Sequence, residues 1–286
     1  MPELKTLYKK AVSILKRAGV DSPEYDAFEL LCAVYPISKA EFLTSGEDIS
    51  VSHEQAAHYH SLVMDRARRV PLQHITGMAH FYGREFSVNG NVLVPRPDTE
   101  ILVEEALKVI DKDDRVLDIC TGSGCIIIAL DIGAENKTGF FNFRNGVGTD
   151  ISEAALKVAR NNAEKLSADN ISFIQGDLFE NVEGVFDVIV SNPPYIEREE
   201  IKGLQPEVRD FDPVIALDGG EDGLVFYRRI IARLPFFLKK GGYIFFETGY
   251  DQGRKVSELL KKEGFKAVHI IKDYGGNDRV VRAVSE

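Results

Sequence analysis

Cysteine is scarce in this chain of 286 residues, which has only Cys32, Cys120 and Cys125. An odd and sparse set excludes a disulfide framework. Cys120 and Cys125 have neither a second cysteine pair nor a nearby histidine, so the sequence predicts no metal site. We interpret the three thiols as small buried side chains.

Long apolar segments are also lacking. No run approaches the roughly 20 apolar residues that cross a bilayer. The first residues, MPELKTLYKKAVSILKRAG, lack the apolar central region of a signal peptide. The sequence therefore predicts a cytoplasmic protein that has no membrane partner.

Positive charge is in deficit, since the formal net charge is −10. A protein that contacts many nucleic-acid phosphates usually has a basic face. The acidic balance therefore argues against direct nucleic-acid binding and suits a basic protein partner. For the oligomeric state we expect a monomer.

What is present is a pattern in three parts. Apolar residues at helical spacing over residues 1–75 predict a small helical domain. Residues 76–95, rich in Gly and aromatic residues, predict a β-hairpin bridge with its turn at Asn89-Gly90-Asn91. Residues 96–286 alternate helices with short apolar strands, which predicts an α/β, doubly wound, mostly parallel sheet covered on both faces. We read GLVFYRRIIARLPFFL within that part as one helix.

Polar groups follow successive strands of this predicted sheet. Glycines in the turn that begins at Asp118 (DICTGSG) let the backbone approach a ligand, and the following helix N-terminus favours electronegative groups. Asp150 is placed to accept the two hydroxyls of a ribose, and Asp177 and Leu178 to meet the edge and face of an adenine. The spacing G-x-G-x-x-G is broken by Ile127, which disfavours a pyrophosphate. These features indicate an adenosine-type ligand without pyrophosphate, for which S-adenosylmethionine is the obvious candidate.

The next strand ends in Asn192-Pro193-Pro194-Tyr195, which we call the acceptor turn. Prolines have no N–H and fix φ, so the carbonyls of this turn are stiffly aimed. The Asn192 side-chain oxygen and the Pro193 carbonyl are two acceptors that suit the two donors of one –NH₂ group, and the Tyr195 ring can lie over a flat conjugated amide or amine. The sequence thus predicts a turn that holds a planar –NH₂ facing a methyl donor. The alternative is a rigid strand-to-loop turn without chemistry.

Several motifs together resemble the release factor glutamine methyltransferase (HemK) family. They are RRVPLQHITG, FYGREF, VPRPDTE, DICTGSGCIIIAL, GTDIS, NPPYI, ALDGGEDGL and DRVV. The resemblance runs from about residue 65 to the end. It implies a seven-stranded class I methyltransferase sheet and methylation of the side-chain amide of the glutamine in the Gly-Gly-Gln loop of peptide chain release factors.

The resemblance also implies roles for single residues. The helical domain would dock the release factor, and Asn192 would touch both cofactor and substrate. In the PRPDTE loop, Arg96, Thr99 and Glu100 would wall the pocket, although Arg96 and Glu100 can equally form a structural ion pair. The cofactor would contact Asp118, Cys120, Thr121, Gly122, Ser123, Gly124, Asp150, Ile151, Asp177, Leu178 and Asn192, and the glutamine would contact Asn192, Pro193, Pro194 and Tyr195.

Two departures and two other functions accompany this interpretation. The family usually has Gly at the position of Cys120, so a positive φ there would cost about 1 kcal/mol or more. The segment GAENKTGFFNFRNGVG before Asp150 is unusual and can lengthen the connection. An adenine amino methyltransferase acting on DNA or RNA would use the same turn, and a cofactor-binding module disabled by Cys120 is a non-enzyme alternative.

Overall fold

The computed structural model of the chain describes residues 3–45, 49–138 and 143–286. These residues form two compact units. The first, here called the helical unit, contains the described residues up to Gly77 together with Gln205–Phe211. The second, here called the sheet unit, contains Met78–Leu204 and Asp212–Glu286.

The helical unit confirms the helices expected in the first part of the chain. Apolar residues of α1, among them Leu4 and Leu15, pack with Leu30 of α2 and with Tyr59 and Val63 of α4 in one core. Ser22 precedes α2, and Pro23 occupies its first turn, where no intrahelical N–H is needed. The helices are α1 (Leu4–Arg17), α2 (Pro23–Val34), α3 (Lys39–Ser45), α4 (His53–Ala67), α5 (Leu72–Thr76) and, from the later segment, α9 (Pro206–Arg209).

A buried charge cluster fixes the later segment inside the helical unit. Arg66 lies 2.6 Å from the Asp26 carboxylate and 2.9 Å from Glu207. Arg69 donates to both carboxylate oxygens of Glu207 at 2.7 Å. Burial raises the pKa of Glu207, but the hydrogen bonds from Arg69 and Arg66 outweigh it, and the pKa is lowered overall. This pairing could not be predicted from the sequence, because Arg69 and Glu207 are 138 positions apart.

The hairpin begins the sheet unit, but its turn is not where the sequence placed it. Strands β1 (Met78–Phe81) and β2 (Arg84–Ser87) pair antiparallel, so the turn is Tyr82-Gly83. Both turn residues have positive φ, 49° and 71°, as the two-residue turn that matches strand twist requires. The prediction of a hairpin turn at Asn89-Gly90-Asn91 is therefore wrong. Those residues form a later turn, in which Asn91 N–H donates to the Asn89 side chain at 2.9 Å.

The predicted doubly wound sheet is confirmed as seven strands in the order β5-β4-β3-β6-β7-β9-β8. Strands β3 to β7 pair in parallel, and β9 pairs antiparallel with both β7 and β8. The strands are β3 (Arg115–Ile119), β4 (Asn145–Asp150), β5 (Ile171–Gln175), β6 (Phe186–Ser191), β7 (Leu238–Glu247), β8 (Lys266–Lys272) and β9 (Asp278–Val284).

Both faces of the sheet are covered, because neighbouring residues of a strand point to opposite sides. Val116 of β3 joins one core and Leu117 joins the other. The helices of the sheet unit are α6 (Glu100–Leu107), α7 (Cys125–Thr138), α8 (Glu153–Lys165), α10 (Val225–Ile231), α11 (Leu234–Phe237) and α12 (Gly253–Lys262). Helices α6 and α7 contribute to the first core, and α10 and α12 contribute to the second.

Two connections differ from the sequence interpretation or lie partly outside the description. The single helix expected over GLVFYRRIIARLPFFL is wrong, since α10 ends at Ile231 and α11 begins at Leu234. Pro235 lacks an N–H and its ring would clash with the Ile231 carbonyl, so a continuous helix is disfavoured. In the unusual segment before Asp150, α7 extends to Thr138 and β4 begins at Asn145, while residues 139–142 lie outside the described residues. No helix in the described ranges is long and apolar enough to cross a membrane.

Candidate active site

A cavity opens at the carboxyl ends of β3, β4, β5 and β6. The chain moves outward from β3 through β4 to β5 and then returns to place β6 on the other side of β3. Such a switch point is where open α/β sheets bind ligands. Of the residues predicted to contact cofactor or glutamine, those that line the cavity are Cys120, Thr121, Gly122, Ser123, Asp150, Ile151, Asp177, Leu178, Asn192 and Pro194.

The glycine loop after β3 is tied to the end of β4. Thr121 N–H donates to the Thr149 carbonyl at 2.9 Å, and Gly122 N–H donates to the Asp150 carboxylate at 2.9 Å. A Cβ on Gly122 would meet nothing within 4 Å, so the loop backbone faces open space on the cavity side. We call residues 120–124 and Asp150 the cofactor wall.

Asp150 is held by backbone donors on both of its oxygens. Gly122 N–H donates to Oδ2, and Ser152 N–H donates to Oδ1, each at 2.9 Å. Ser152, not Asp150, caps α8, because its hydroxyl accepts from Ala155 N–H. Burial raises the pKa of Asp150, while these backbone hydrogen bonds lower it. Each carboxylate oxygen keeps a further lone pair, so this acid fits a ribose with two adjacent hydroxyls.

Cys120 adopts the left-handed backbone conformation, with φ of 62°. We expected a cost in stability if Cys120 had this conformation, because the family resemblance implies Gly at this position. A side chain there costs roughly 1–2 kcal/mol relative to Gly. Cys120 lines the cavity in this conformation.

Asp177 and Leu178 lie at the end of β5, as predicted for the adenine end. Leu178 also has a positive φ, 59°. The Asp177 carboxylate is 2.6 Å from Arg229 of α10, and both side chains are about half exposed. An exposed pair of this kind contributes little stability, so Asp177 can exchange this partner for a ligand.

The acceptor turn is continuous with the cofactor wall. Asn192 and Pro194 line the cavity, and no group among the described residues hydrogen-bonds to the Asn192 side-chain amide. Just before the turn, the buried Ser191 hydroxyl donates to the Ile119 carbonyl at 2.7 Å. This bond joins the end of β6 to the start of the glycine loop. Ser191 was not expected as a site residue, although its place directly before the turn was a signal.

Four of the residues predicted to contact cofactor or glutamine do not line the cavity. Pro193 is buried, and Tyr195 is half-buried. Gly124 is packed tightly, since a Cβ there would meet Ile128 at 3.0 Å and Ala159 at 3.1 Å.

Asp118 is the fourth. It is fully buried beneath the loop and accepts from the Thr121 hydroxyl at 2.6 Å. Burial raises its pKa to about 7, with a further increase from Asp150 and an opposing decrease from Thr121.

The loop before α6 contributes two of its three expected residues. Arg96 and Thr99 line the cavity. Glu100 does not, because its carboxylate accepts from Tyr82 N–H at 2.8 Å. The alternative of an Arg96–Glu100 ion pair is also wrong, since Arg96 pairs with the buried Asp212 at 2.7 Å. Burial raises the pKa of Asp212 to about 6 against the lowering effect of Arg96.

Three groups of residues that complete the cavity were not expected from the sequence. They come from the turn after the hairpin, from the short 3-10 turn before the glycine-rich ALDGGEDGL motif, and from α10. The motif itself and the apolar start of α10 were signals. The missed lining residues include Asn91, Leu93, Pro213, Ile215, Ala216, Phe226 and Arg229.

Comparison with known proteins covers both units. Residues 6–77 match the model described as PrmC N-terminal domain, and residues 110–275 match a methyltransferase domain. The release factor glutamine methyltransferase of Thermodesulfovibrio yellowstonii is 40% identical over 261 residues, which is 90% of each chain. That of Clostridium acetobutylicum is 38% identical over 99% of this chain and 98% of its own.

Among solved structures, a methyltransferase from Pyrococcus furiosus has the same fold. Its TM-score is 0.51 at 19% identity, over 82% of this chain and 98% of that one. The class I methyltransferase domain implies S-adenosylmethionine as the methyl donor, which confirms the cofactor expected from the sequence. On the identity and coverage of these relatives, the chain belongs to the release factor glutamine methyltransferase family.

Proposed function

We propose that this protein transfers a methyl group from S-adenosylmethionine to the side-chain amide nitrogen of the glutamine in the Gly-Gly-Gln loop of peptide chain release factors. The observation that carries the proposal is the position of Asn192. Its unpartnered amide lies on the same cavity as the cofactor wall, in a chain whose relatives over nearly their full length are named for this activity.

The acceptor turn matches the chemistry of a primary amide. The Asn192 side-chain oxygen and the Pro193 carbonyl accept the two N–H groups of the glutamine, and the Tyr195 ring packs against its plane. Proline rings on both sides of these acceptors limit their movement. A substrate with an –NH₂ group and a flat conjugated plane satisfies all three groups at once.

An amide nitrogen is a weak nucleophile because its lone pair is delocalised into the carbonyl. Bound S-adenosylmethionine supplies a methyl carbon activated by its sulfonium. The acceptor turn orients the nitrogen toward that carbon, and such near-attack placement accounts for roughly 7–11 kcal/mol of barrier. The N–C bond forms as the bond between the methyl carbon and sulfur breaks, and the electron pair of that bond stays on sulfur. The two acceptors stabilise the positive charge that develops on the nitrogen, which then releases one proton to solvent.

The cofactor wall supplies the remaining contacts. Asp150 accepts the ribose hydroxyls with the lone pairs that Gly122 and Ser152 leave free. Residues 120–123 and Ile151 face the rest of the nucleoside, and Leu178 lies beside the adenine. Asp118 acts from below, through its bond with Thr121.

The helical unit is the docking element for the release factor in this proposal. The net charge of −10 favours a basic partner over nucleic acid. The protein works as a monomer in the cytoplasm, where release factors act.

The test is a methyl-acceptor assay with labelled S-adenosylmethionine, followed by mass-spectrometric mapping of the product. Wild-type enzyme should label a release factor on the Gly-Gly-Gln glutamine, and a release factor with Ala at that glutamine should remain unlabelled. DNA and RNA serve as parallel acceptors. Label on nucleic acid alone would support the adenine methyltransferase, which the family assignment disfavours, and no label on any acceptor would support a binding module.

A further inference from the structure

The acceptor turn rests on a layer of side chains that no part of the methyl-transfer chemistry uses directly. Tyr195 is the last residue of the turn, and its two polar ends have different partners. Its hydroxyl donates to the Glu247 carboxylate at 3.4 Å, and its carbonyl accepts from the Gln252 amide at 2.8 Å. Both partners come from FETGYDQ, where β7 ends and α12 begins.

We propose that Glu247 and Gln252 are positioning residues for methyl transfer, which hold Tyr195 at its hydroxyl and its carbonyl and so aim the acceptor turn. The proposal deepens the function proposed above and, for its kinetic test, rests on it. Neither residue lines the cavity. We expect both to act through Tyr195, by fixing the geometry of the acceptor turn.

The backbone around Tyr195 leaves little freedom apart from these two bonds. A Cβ on Gly219 would lie 2.7 Å from Tyr195 Cα, and a Cβ on Gly223 would lie 2.4 Å from the Tyr195 carbonyl oxygen. The same Gly223 position would lie 2.4 Å from the Gln252 amide nitrogen. The glycines of ALDGGEDGL therefore allow the close approach that brings Gln252 to its acceptor.

Glu247 is built into the protein as a buried acid. It is 1% exposed, and its Oε2 has no hydrogen-bond partner among the described residues. Its backbone carbonyl is held separately, because the Tyr227 hydroxyl donates to it at 2.7 Å. Burying a carboxyl with one unpartnered oxygen costs desolvation free energy, which an apolar side chain of similar size would avoid. Packing alone therefore does not explain Glu247.

The charge state of Glu247 changes in the neutral range. Burial raises its pKa to about 7, while the Thr99 hydroxyl and the Arg279 guanidinium lower it. The hydroxyl of Tyr195 therefore meets a carboxylate above neutrality and a carboxylic acid below it. The charged and titratable groups around Glu247 are Asp98 before α6, Cys125 on α7, Tyr195, Tyr227 on α10 and Arg279 on β9.

The first experiment needs no methyl acceptor. Wild-type protein labelled with 3-fluorotyrosine has ten tyrosines, and Tyr195→Phe identifies the ¹⁹F resonance of Tyr195. We expect this resonance to shift with pH around a midpoint of about 7. In Glu247→Gln the shift should disappear, and in Asp118→Asn it should persist, because Asp118 is another buried acid with a raised pKa that does not contact Tyr195. A Tyr195 resonance that titrates in wild type and still titrates in Glu247→Gln would overturn the proposal.

The second experiment is kinetic and uses the release factor assay. Glu247→Ala and Gln252→Ala should each lower kcat roughly ten- to a hundredfold, because small misplacements of reacting groups have effects of this size. The cofactor Kd should be unchanged by calorimetry. Glu247→Gln keeps an acceptor oxygen for the hydroxyl and should recover most of the activity. Ser172→Ala removes a partly buried hydroxyl that donates to the Gly146 carbonyl and contacts neither Tyr195 nor its two partners, so it should leave kcat within about twofold.

A double-mutant cycle separates positioning from general damage. In a Tyr195→Phe background the hydroxyl is gone, so Glu247→Ala should produce little further loss of kcat. Independent, multiplying losses would contradict the proposed contact. If wild type fails to methylate the release factor while the fluorine titration behaves as expected, the proposed substrate is wrong and the positioning contact stands.

Discussion

The cofactor wall and the acceptor turn lie on the same cavity, but different parts of the chain hold them. The cofactor wall is fastened by neighbours: Gly122 bonds to Asp150, which ends the adjacent strand. The acceptor turn is fastened by residues 52 and 57 positions further on, Glu247 and Gln252. In the proposed function, the methyl donor that many enzymes share is thus bound by a local motif, whereas the acceptor is oriented by a turn that distant residues hold. Mutations should therefore separate cofactor binding from turnover.

The largest effect should come from Asn192→Ala, which breaks the acceptor side alone. Removing one of the two amide acceptors should lower kcat about 10²- to 10³-fold, because it removes stabilisation of the charge that develops on the nitrogen. The cofactor Kd should change little. A kcat close to wild type would contradict the role of Asn192.

Asp150→Ala should break the cofactor side alone. Losing hydrogen bonds from two hydroxyls to one carboxylate should raise the cofactor Kd about 10- to 100-fold, measured by calorimetry. At saturating cofactor, kcat should approach that of wild type. An unchanged Kd would place the ribose elsewhere.

Gly219→Ala should disturb the acceptor turn from behind. The added Cβ would lie 2.7 Å from Tyr195 Cα, so the turn must shift. We expect kcat to fall at least about tenfold with the cofactor Kd unchanged. Gly203→Ala is the matched control, since a Cβ there meets nothing within 4 Å, and its kcat should equal that of wild type.

Asp118→Asn should show how much the buried carboxyl of Asp118 lowers the free energy of unfolding. The pKa of Asp118 is raised to about 7, against about 3.9 in an unfolded chain. Between these values the folded protein holds a proton that the unfolded chain has released, so the free energy of unfolding of wild type falls as pH rises from about 4 to about 7.

Asn cannot ionise and keeps an oxygen for Thr121, so the Tm advantage of Asp118→Asn over wild type should grow with pH, by about 2–4 °C for each kcal/mol. Melting curves at acidic and alkaline pH test this directly. A Tm difference that is the same at every pH would show that Asp118 does not titrate in this range.

The smallest effect should come from Cys120→Gly. The positive φ of 62° favours glycine, so the variant should unfold with a free energy about 1 kcal/mol higher, partly offset by the greater freedom of glycine in the unfolded chain. Cofactor Kd should stay the same or decrease. Denaturant unfolding and calorimetry together test this, and a clear loss of stability would show that the Cys120 side chain packs better than its backbone strain costs.

Much of the fold could be predicted because it follows from local patterns. The alternation of helices and apolar strands predicted the sheet, and GTD and NPPY predicted which side chains stand at its carboxyl edge. The hairpin turn was predicted at the wrong place because Tyr82 has a positive φ, which is uncommon for tyrosine. Asn89-Gly90-Asn91, in contrast, consists of the residue types that such turns prefer. The break between α10 and α11 was signalled by Pro235 and overlooked.

The support of the site could not be predicted in the same way. In the sequence, Glu247 is only a polar residue at the end of a strand. The fold brings it next to the Tyr195 hydroxyl. Arg96 lies two residues before Asp98 in sequence but pairs with Asp212, 116 positions away. Pairings of this kind depend on tertiary geometry, and a single sequence contains no periodicity that reports them.

The assignment of Gln205–Phe211 to the helical unit has a consequence for how this protein can be divided. The backbone passes from one unit to the other three times, after residues 77, 204 and 211. The two units are therefore not consecutive domains joined by one linker. A fragment that stops at residue 77 would leave Arg66 and Arg69 without the Glu207 carboxylate that neutralises them. Any effort to graft, swap or express the helices alone should therefore carry the distant heptapeptide with them.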